Sequence, residues 1–236
     1  MKNNLVKFLI PVVFLFVLTS CASLNRPSPS YEELPLLQRW GLGRIETEHV
    51  SLNRDYNWYI DQRHTGLASE SNCGPSCTIM AARWYDRDFS KTVEEARLTF
   101  RENGGWWYIQ NIYSFLVNNK IPAFINDTVS PVVIKDYLDN GSILIVNIHT
   151  RHISYNSNDE QRTGKFYQDN TGHFIIIKGY RVVDGQTYYE VYDPNTWDMY
   201  YRDGTQKGRD RYYLANRVLH SMTQWEKRYI VIPQKN

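Results

Sequence analysis

The chain has 236 residues, 42% of them apolar, and a formal net charge of +2. That length and apolar content suit one compact domain with a sizeable core. With no basic stripe and no long run of one charge, nothing points to a nucleic-acid partner or a charged tail, and three cysteines are too few for a disulfide-built scaffold.

The first 20 residues read as an export signal. Lys2 and Lys7 supply the positive start, and Phe8 to Leu18 form an apolar run too short to span a bilayer comfortably. Leu18-Thr19-Ser20-Cys21 then resembles the lipobox of bacterial lipoproteins, where the signal is cut before the cysteine and the cysteine carries the lipid. The resemblance implies lipidation of Cys21 and attachment to a membrane of the cell envelope through acyl chains, each buried methylene adding about 0.8 kcal/mol. Ala22 resembles the residue that follows the cysteine in lipoproteins sent to an outer membrane, for a host with two membranes. An ordinary secretory signal with an incidental cysteine is the alternative. Removing residues 1–20 takes away two lysines and no acid, so basic and acidic residues then balance. Residues 21–50 read as the lipidated cysteine followed by a proline-bearing tether and a peripheral arm, and residues 51–236 as the domain.

Past Gly74 the pattern turns helical. Cys77, Met80, Ala81 and Trp84 share one helix face with Cys73 a turn earlier, and Pro75 fits only the first turn, where its missing N–H costs nothing. Cys73 is therefore expected at a helix N-terminus. A capping box over Thr92 to Glu95 announces a second helix, stopped at Gly104-Gly105. A third lies within Trp106 to Asn119, with Tyr108, Ile112, Phe115 and Leu116 on one face; a fourth opens at Ser130-Pro131 and ends before Gly141.

The later chain reads as strands: Ser142 to Ile148, His173 to Arg181, Thr187 to Asp193 and Arg228 to Ile232, with Val183-Asp184-Gly185-Gln186 as a hairpin turn. Helices first and antiparallel strands later predict an α+β fold. Residues 149–171 are polar and longer than most loops, hence functional or disordered.

A thiolate is a strong nucleophile, and the positive end of a helix dipole lowers the pKa of a cysteine placed there, as at Cys73 and not at Cys77. The attack also needs a base, a group to orient the base, and donors for the oxyanion. His173 starts an apolar strand and Asp193 closes the next, so the obvious hairpin register brings both to one end of the sheet. Gln62 offers a side-chain amide for the oxyanion beside the Cys73 main-chain N–H.

Gln62, Asn72-Cys73-Gly74-Pro75-Ser76, Gly172-His173-Phe174-Ile175-Ile176-Ile177-Lys178-Gly179-Tyr180 and Tyr192-Asp193-Pro194 together resemble the papain-superfamily cysteine peptidases of the bacteriocin-processing type, cysteine-peptidase family thirty-nine. The resemblance spans roughly Trp58 to Thr196. It implies a papain-like fold with helices packed on a C-terminal antiparallel sheet, Cys73 as nucleophile, His173 as base, Asp193 orienting it, Gln62 in the oxyanion hole, a peptide or protein substrate, and neither cofactor nor metal. Members that cut leader peptides after a double glycine often hang on transporters, whereas this chain reads as free-standing. Eleven residues between Gln62 and Cys73 and the insertion at 149–171, expected to flank or cover the cleft, also depart from the family. Competing readings are a Cys73–Cys77 disulfide, a zinc site adding His149 and His152, a silent peptide-binding module, and acyl transfer by the same triad. Trp106 and Trp107 are candidates for a substrate groove, with core packing the favoured alternative.

Overall fold

The computed structural model describes residues 30–235; the signal segment, Cys21 and most of the tether lie outside them. Helix α1 (Leu36–Arg39) and strand β1 (Glu46–Ser51) lead into α2 (Cys73–Tyr85), α3 (Val93–Thr99) and α4 (Ile109–Asn118). Strand β2 (Phe124–Asn126) and α5 (Pro131–Asp139) precede β3 (Ile143–His149), β4 (Gly172–Val183), β5 (Gln186–Tyr192), β6 (Arg211–Leu214), α6 (Ala215–Gln224) and β7 (Tyr229–Ile232). The strands form one antiparallel sheet in the order β2-β7-β3-β4-β5-β6, with β1 also on β4. This is the expected α+β, papain-like architecture. Among the described residues no helix is long and apolar enough to cross a membrane.

The two faces of each central strand feed two cores. Ile143, Ile145, Phe174, Ile176 and Tyr192 pack beneath α2 and α4 with Ile79, Met80, Ile112 and Phe115. Leu144, Val146, Ile175, Ile177 and Val191 face the other way, onto α5 and α6 through Ile134, Leu138, Val218 and Met222. Full burial of both faces explains why β3 and β4 are continuous apolar runs rather than alternating ones.

Helix α3 starts on the expected capping box: Glu95 N–H donates to Thr92 Oγ1 and Thr92 N–H to Glu95 Oε2. It stops at Thr99, before Gly104, because Phe100 turns inward to set its ring edge-on to Trp107. Five elements have no counterpart in the sequence reading: α1, β1, β2, β6 and α6. Helix α6 covers the second sheet face. Strand β1 belongs to the segment expected as a peripheral arm; it pairs from Ser51↔Gly179 to Glu46↔Val183, so the boundary expected at residue 50 falls inside a strand. It can do so because β4 is long: β3 occupies one edge of β4 up to Ile177, and that edge is free beyond.

The β4–β5 hairpin carries a bulge. From the turn the register runs Val183↔Gln186 to Gly179↔Glu190, then shifts so that Ile177 faces Val191 and Ile176 faces Tyr192. Lys178 is the extra residue, fully buried, and its ammonium pairs with Glu190 and with Asp210 at 2.7 Å. Without the shift Asp193 would oppose Ile176 and project from the α2 face; with it, Asp193 continues opposite Ile175, on the face His173 shares.

Gly179 follows the bulge where β1 crosses closest. A Cβ there would stand 2.1 Å from the Val50 carbonyl oxygen and 3.0 Å from the Ser51 Cα, both main chain. Gly179→Ala is expected to push β1 away and destabilise the fold by ~1–3 kcal/mol, read from the urea unfolding midpoint; an unchanged midpoint would mean β1 contributes little.

Candidate active site

Cys73 is the first residue of α2. Its N-cap, Asn72, makes no capping bond; instead its side chain is fixed from both ends. Asn72 Nδ2 donates to the Thr65 carbonyl (3.0 Å) and Thr65 Oγ1 (2.9 Å), while Oδ1 accepts from Arg97 Nε (2.8 Å) and a terminal nitrogen (2.6 Å). Arg97, buried, also donates to the carbonyls of Ser71 and Gly105, each at 2.8 Å, and lies over the Trp107 ring. A planar five-donor cation thus ties α3 and the Gly105 loop to the entrance of α2. Sequence reading missed Arg97, since one arginine on a short amphipathic helix carries no signal of its partner. Gly74 is required by packing: a Cβ would meet Trp107 Cβ at 2.9 Å. The main-chain N–H groups of Cys73 and Gly74, in the first helical turn, have no intrahelical acceptor.

His173 opens β4 and Asp193 follows β5. His173 Nε2 and Asp193 Oδ1 are 2.7 Å apart, which leaves Nδ1 as the nitrogen available to the sulfur. Asp193 is wholly buried and heavily bonded: Oδ1 also accepts from Asn195 N–H (2.9 Å), and Oδ2 accepts the hydroxyls of Tyr167 (2.8 Å) and Tyr213 (2.6 Å). Its main chain is pinned by Gly208 O and the Tyr59 hydroxyl.

Burial presses the Cys73 thiol toward its neutral form, but the His173 ring and the N–H groups of Phe174 and Gly74 outweigh it, so its pKa is lowered. For His173 burial likewise opposes charge, yet the Asp193 carboxylate and the Cys73 sulfur raise its pKa to about 10. Asp193 is lowered despite burial, chiefly by His173 and Tyr213. Both shifts favour the thiolate–imidazolium form of the pair. Cys77, one turn on, is pushed well up by burial and by Cys73, and sits in the core with no exposure. Both cysteines are free, so the disulfide reading does not hold. Nor do the thiols converge with His149 and His152, which face Trp225 and His220 instead.

Gln62 stands in the 3-10 turn Gln62–His64, joined to the Asp193 loop by its N–H on Pro194 O (2.8 Å). Its side chain departs from the expected role: Nε2 donates to the Ser69 carbonyl at 3.0 Å, and Oε1 is buried without a partner. The turn Ser69–Ser71 packs on the Gln62 turn and presents that carbonyl first.

The cleft beside His173 encloses about 300 Å³ between Trp106, Tyr108, Asn147, Phe174 and Trp225. Both tryptophans border the cleft: Trp107 is largely core, its indole N–H on Phe100 O, while Trp106 is 45% exposed on the cleft wall. The segment at 149–171 does not cover this cleft. It is folded against β6, where the buried Arg211 guanidinium donates to the carbonyls of Gln161 and Thr163, both at 3.1 Å, and of Gly164, and it delivers Tyr167 to Asp193.

The profile of the Peptidase_C39 like family matches residues 55–220. The chain therefore belongs to that family, within the papain-like cysteine peptidase superfamily. No curated protein sequence matches it. Among solved structures, it is similar to a protein called a C39-like peptidase, from Bacillus anthracis, with a TM-score of 0.54 and 12% identity over 80% of this chain and 100% of that one. Digestive procathepsin L2 from Tenebrio molitor gives a TM-score of 0.39 and 14% identity over 78% of this chain and 70% of that one.

Two outcomes follow from the charge state. Cys73 is expected to react with iodoacetamide below the usual thiol value of 9.0, and His173→Ala to move that limb back up; a wild-type limb already at the usual value would disprove the ion pair. The raised His173 pKa stabilises the fold fully below the usual 6.5 and loses that contribution as pH rises through about 10. The lowered Asp193 pKa acts above the usual 3.8 and is lost as pH falls below it. Urea midpoints should thus be steeper in pH on both flanks for the wild type than for Asp193→Asn.

Proposed function

We propose that the protein is a thiol hydrolase that cleaves peptide or related amide bonds through an acyl-enzyme. The observation that carries this reading is the buried Cys73–His173–Asp193 array, with the sulfur at the head of α2 and His173 on the wall of a cleft. The thiolate attacks the amide carbonyl, forming a C–S bond and an oxyanion. The Cys73 main-chain N–H at the start of α2 is the donor for that charge, the Gly74 N–H being held on the sulfur, and the helix dipole adds to it. Nδ1–H of His173 protonates the departing amine as the C–N bond breaks, leaving a thioester on Cys73. The neutral imidazole then takes a proton from water, whose hydroxide releases the acid and restores the thiolate. Asp193 holds the ring by Nε2 throughout, stabilising the imidazolium and fixing which nitrogen faces sulfur. Gln62 reaches the oxyanion in this reading only if its amide leaves Ser69, so its contribution is smaller than that of the Cys73 N–H.

We also propose that lipid on Cys21 holds the domain at the cell envelope, as the sequence before it suggests. Incorporation of labelled palmitate, abolished by Cys21→Ala, tests this independently of activity.

Cys73→Ala and His173→Ala are each expected to reduce peptide hydrolysis by roughly 10⁴-fold, measured with a quenched peptide library. Cys77→Ala, a cavity change in the core, should keep the activity while lowering stability by about 1 kcal/mol. Equal loss of activity at Cys77 with an intact fold would overturn the assignment of the nucleophile.

A further inference from the structure

We propose that Asp61, His64 and Asp198 form a binding site for a divalent transition-metal ion, which clasps the Gln62 turn to the loop that follows Asp193. One side-chain ligand atom from each of the three lies within 4.8 Å of the others. Asp61 is the fixed member. It caps the Gln62–His64 turn, Oδ1 accepting the Arg63 N–H at 3.1 Å, and it is 7% exposed. Its second oxygen, Oδ2, is out of solvent and has no hydrogen-bond partner; the Thr196 main-chain N–H lies near the carboxylate and favours its charged form. A buried carboxylate oxygen with nothing to accept is an unfavourable arrangement that a cation corrects.

The other two members are exposed. His64 and Asp198 side chains are 67% and 48% exposed, and His64 Nε2 already touches Asp198 Oδ1. Around a tetrahedral ion with bonds of about 2.1 Å, ligand atoms stand roughly 3.4 Å apart. Rotation of two half-exposed side chains toward a fixed buried oxygen closes the remaining gap, and solvent provides the entry path. One imidazole nitrogen with two carboxylates suits zinc, manganese or cobalt; calcium and magnesium prefer all-oxygen sets. Arg63 opposes binding: its Nε is 3.7 Å from Asp198 Oδ2, and its guanidinium rests over Trp197. The alternative is that these residues make only an ion-pair fastening, and the two readings part on Arg63. A fastening loses strength when Arg63 is removed, whereas a metal site gains affinity.

The consequence concerns the catalytic loops. Gln62 N–H already donates to Pro194 O, one residue past Asp193. An ion held by Asp61 and His64 on one side and Asp198 on the other adds a second link between the same two segments.

The test uses the full chain as Cys73→Ala, which removes the thiol that would itself hold a soft metal. Co²⁺ is titrated and followed by its visible absorption, and Mn²⁺ by electron paramagnetic resonance. One saturable ion per chain is expected, weakened roughly tenfold or more by Asp61→Asn and by His64→Ala, and tightened by Arg63→Gln. Absence of saturable binding, or binding unchanged in His64→Ala and Asp198→Asn, would overturn the site. These last two are surface changes that decide the question even if Asp61→Asn does not fold.

Discussion

A carboxylate and an imidazolium in contact inside a protein are expensive to bury, and the rest of this structure is arranged around keeping Asp193 and His173 charged. Burial by itself would neutralise both. Asp193 stays ionised because two tyrosine hydroxyls and a main-chain N–H join His173 in satisfying its two oxygens. Each donor comes from a different part of the chain: Tyr167 from the long segment before β4, Tyr213 from β6, Asn195 from the loop past β5. Loss of any one leaves a lone pair without a donor in a low-dielectric setting, where the cost is largest.

On the other side of the sulfur stands a second polar knot. Arg97 and Asn72 hold the entrance of α2 through hydrogen bonds to three main-chain carbonyls and two side chains. Cys73 lies between the two knots, one fixing the helix that carries it and the other fixing its partner. The contrast with Cys77 shows what the location does. The two thiols lie on one helix, yet burial without a counter-charge drives Cys77 up while the His173 contact brings Cys73 down. That difference, rather than the presence of a cysteine, is what supports nucleophilic chemistry at one position.

The long segment at 149–171 also gains a physical role from this arrangement. Its polar composition suits a loop whose carbonyls are bound internally, and Arg211 binds three of them while itself being fully buried. The segment thereby acts as a buttress that brings Tyr167 under Asp193. The cleft is walled instead by Trp106, Tyr108 and Trp225, which lie well apart in sequence from that buttress. Trp225 packs on His149, so the end of β3 supports the cleft wall as well.

Local signals were legible and long-range ones were not. Cys73-Gly74-Pro75 marks a helix start because Pro75 admits little else, and Thr92 to Glu95 marks another because its capping bonds are local. The apolar runs of β3 and β4 announce buried strands. Strand β1 was hidden, since its mostly exposed residues earn their place only from the free edge of β4. Helix α6 was legible, since Ala215, Val218 and Met222 fall at helical spacing on one face, but it was passed over among the polar residues around it. The amino-acid sequence by itself determined which residues carry reactive groups, where α2, α3 and the central strands begin, and that the sulfur heads a helix. Only the tertiary structure decided that Lys178 bulges out of register, so that Asp193 turns to the face of His173, and that Tyr167, Tyr213 and Arg97 complete the charges. Such choices depend on Coulombic and hydrogen-bond partners far apart along the chain, whose energies exist only once the chain has brought them together.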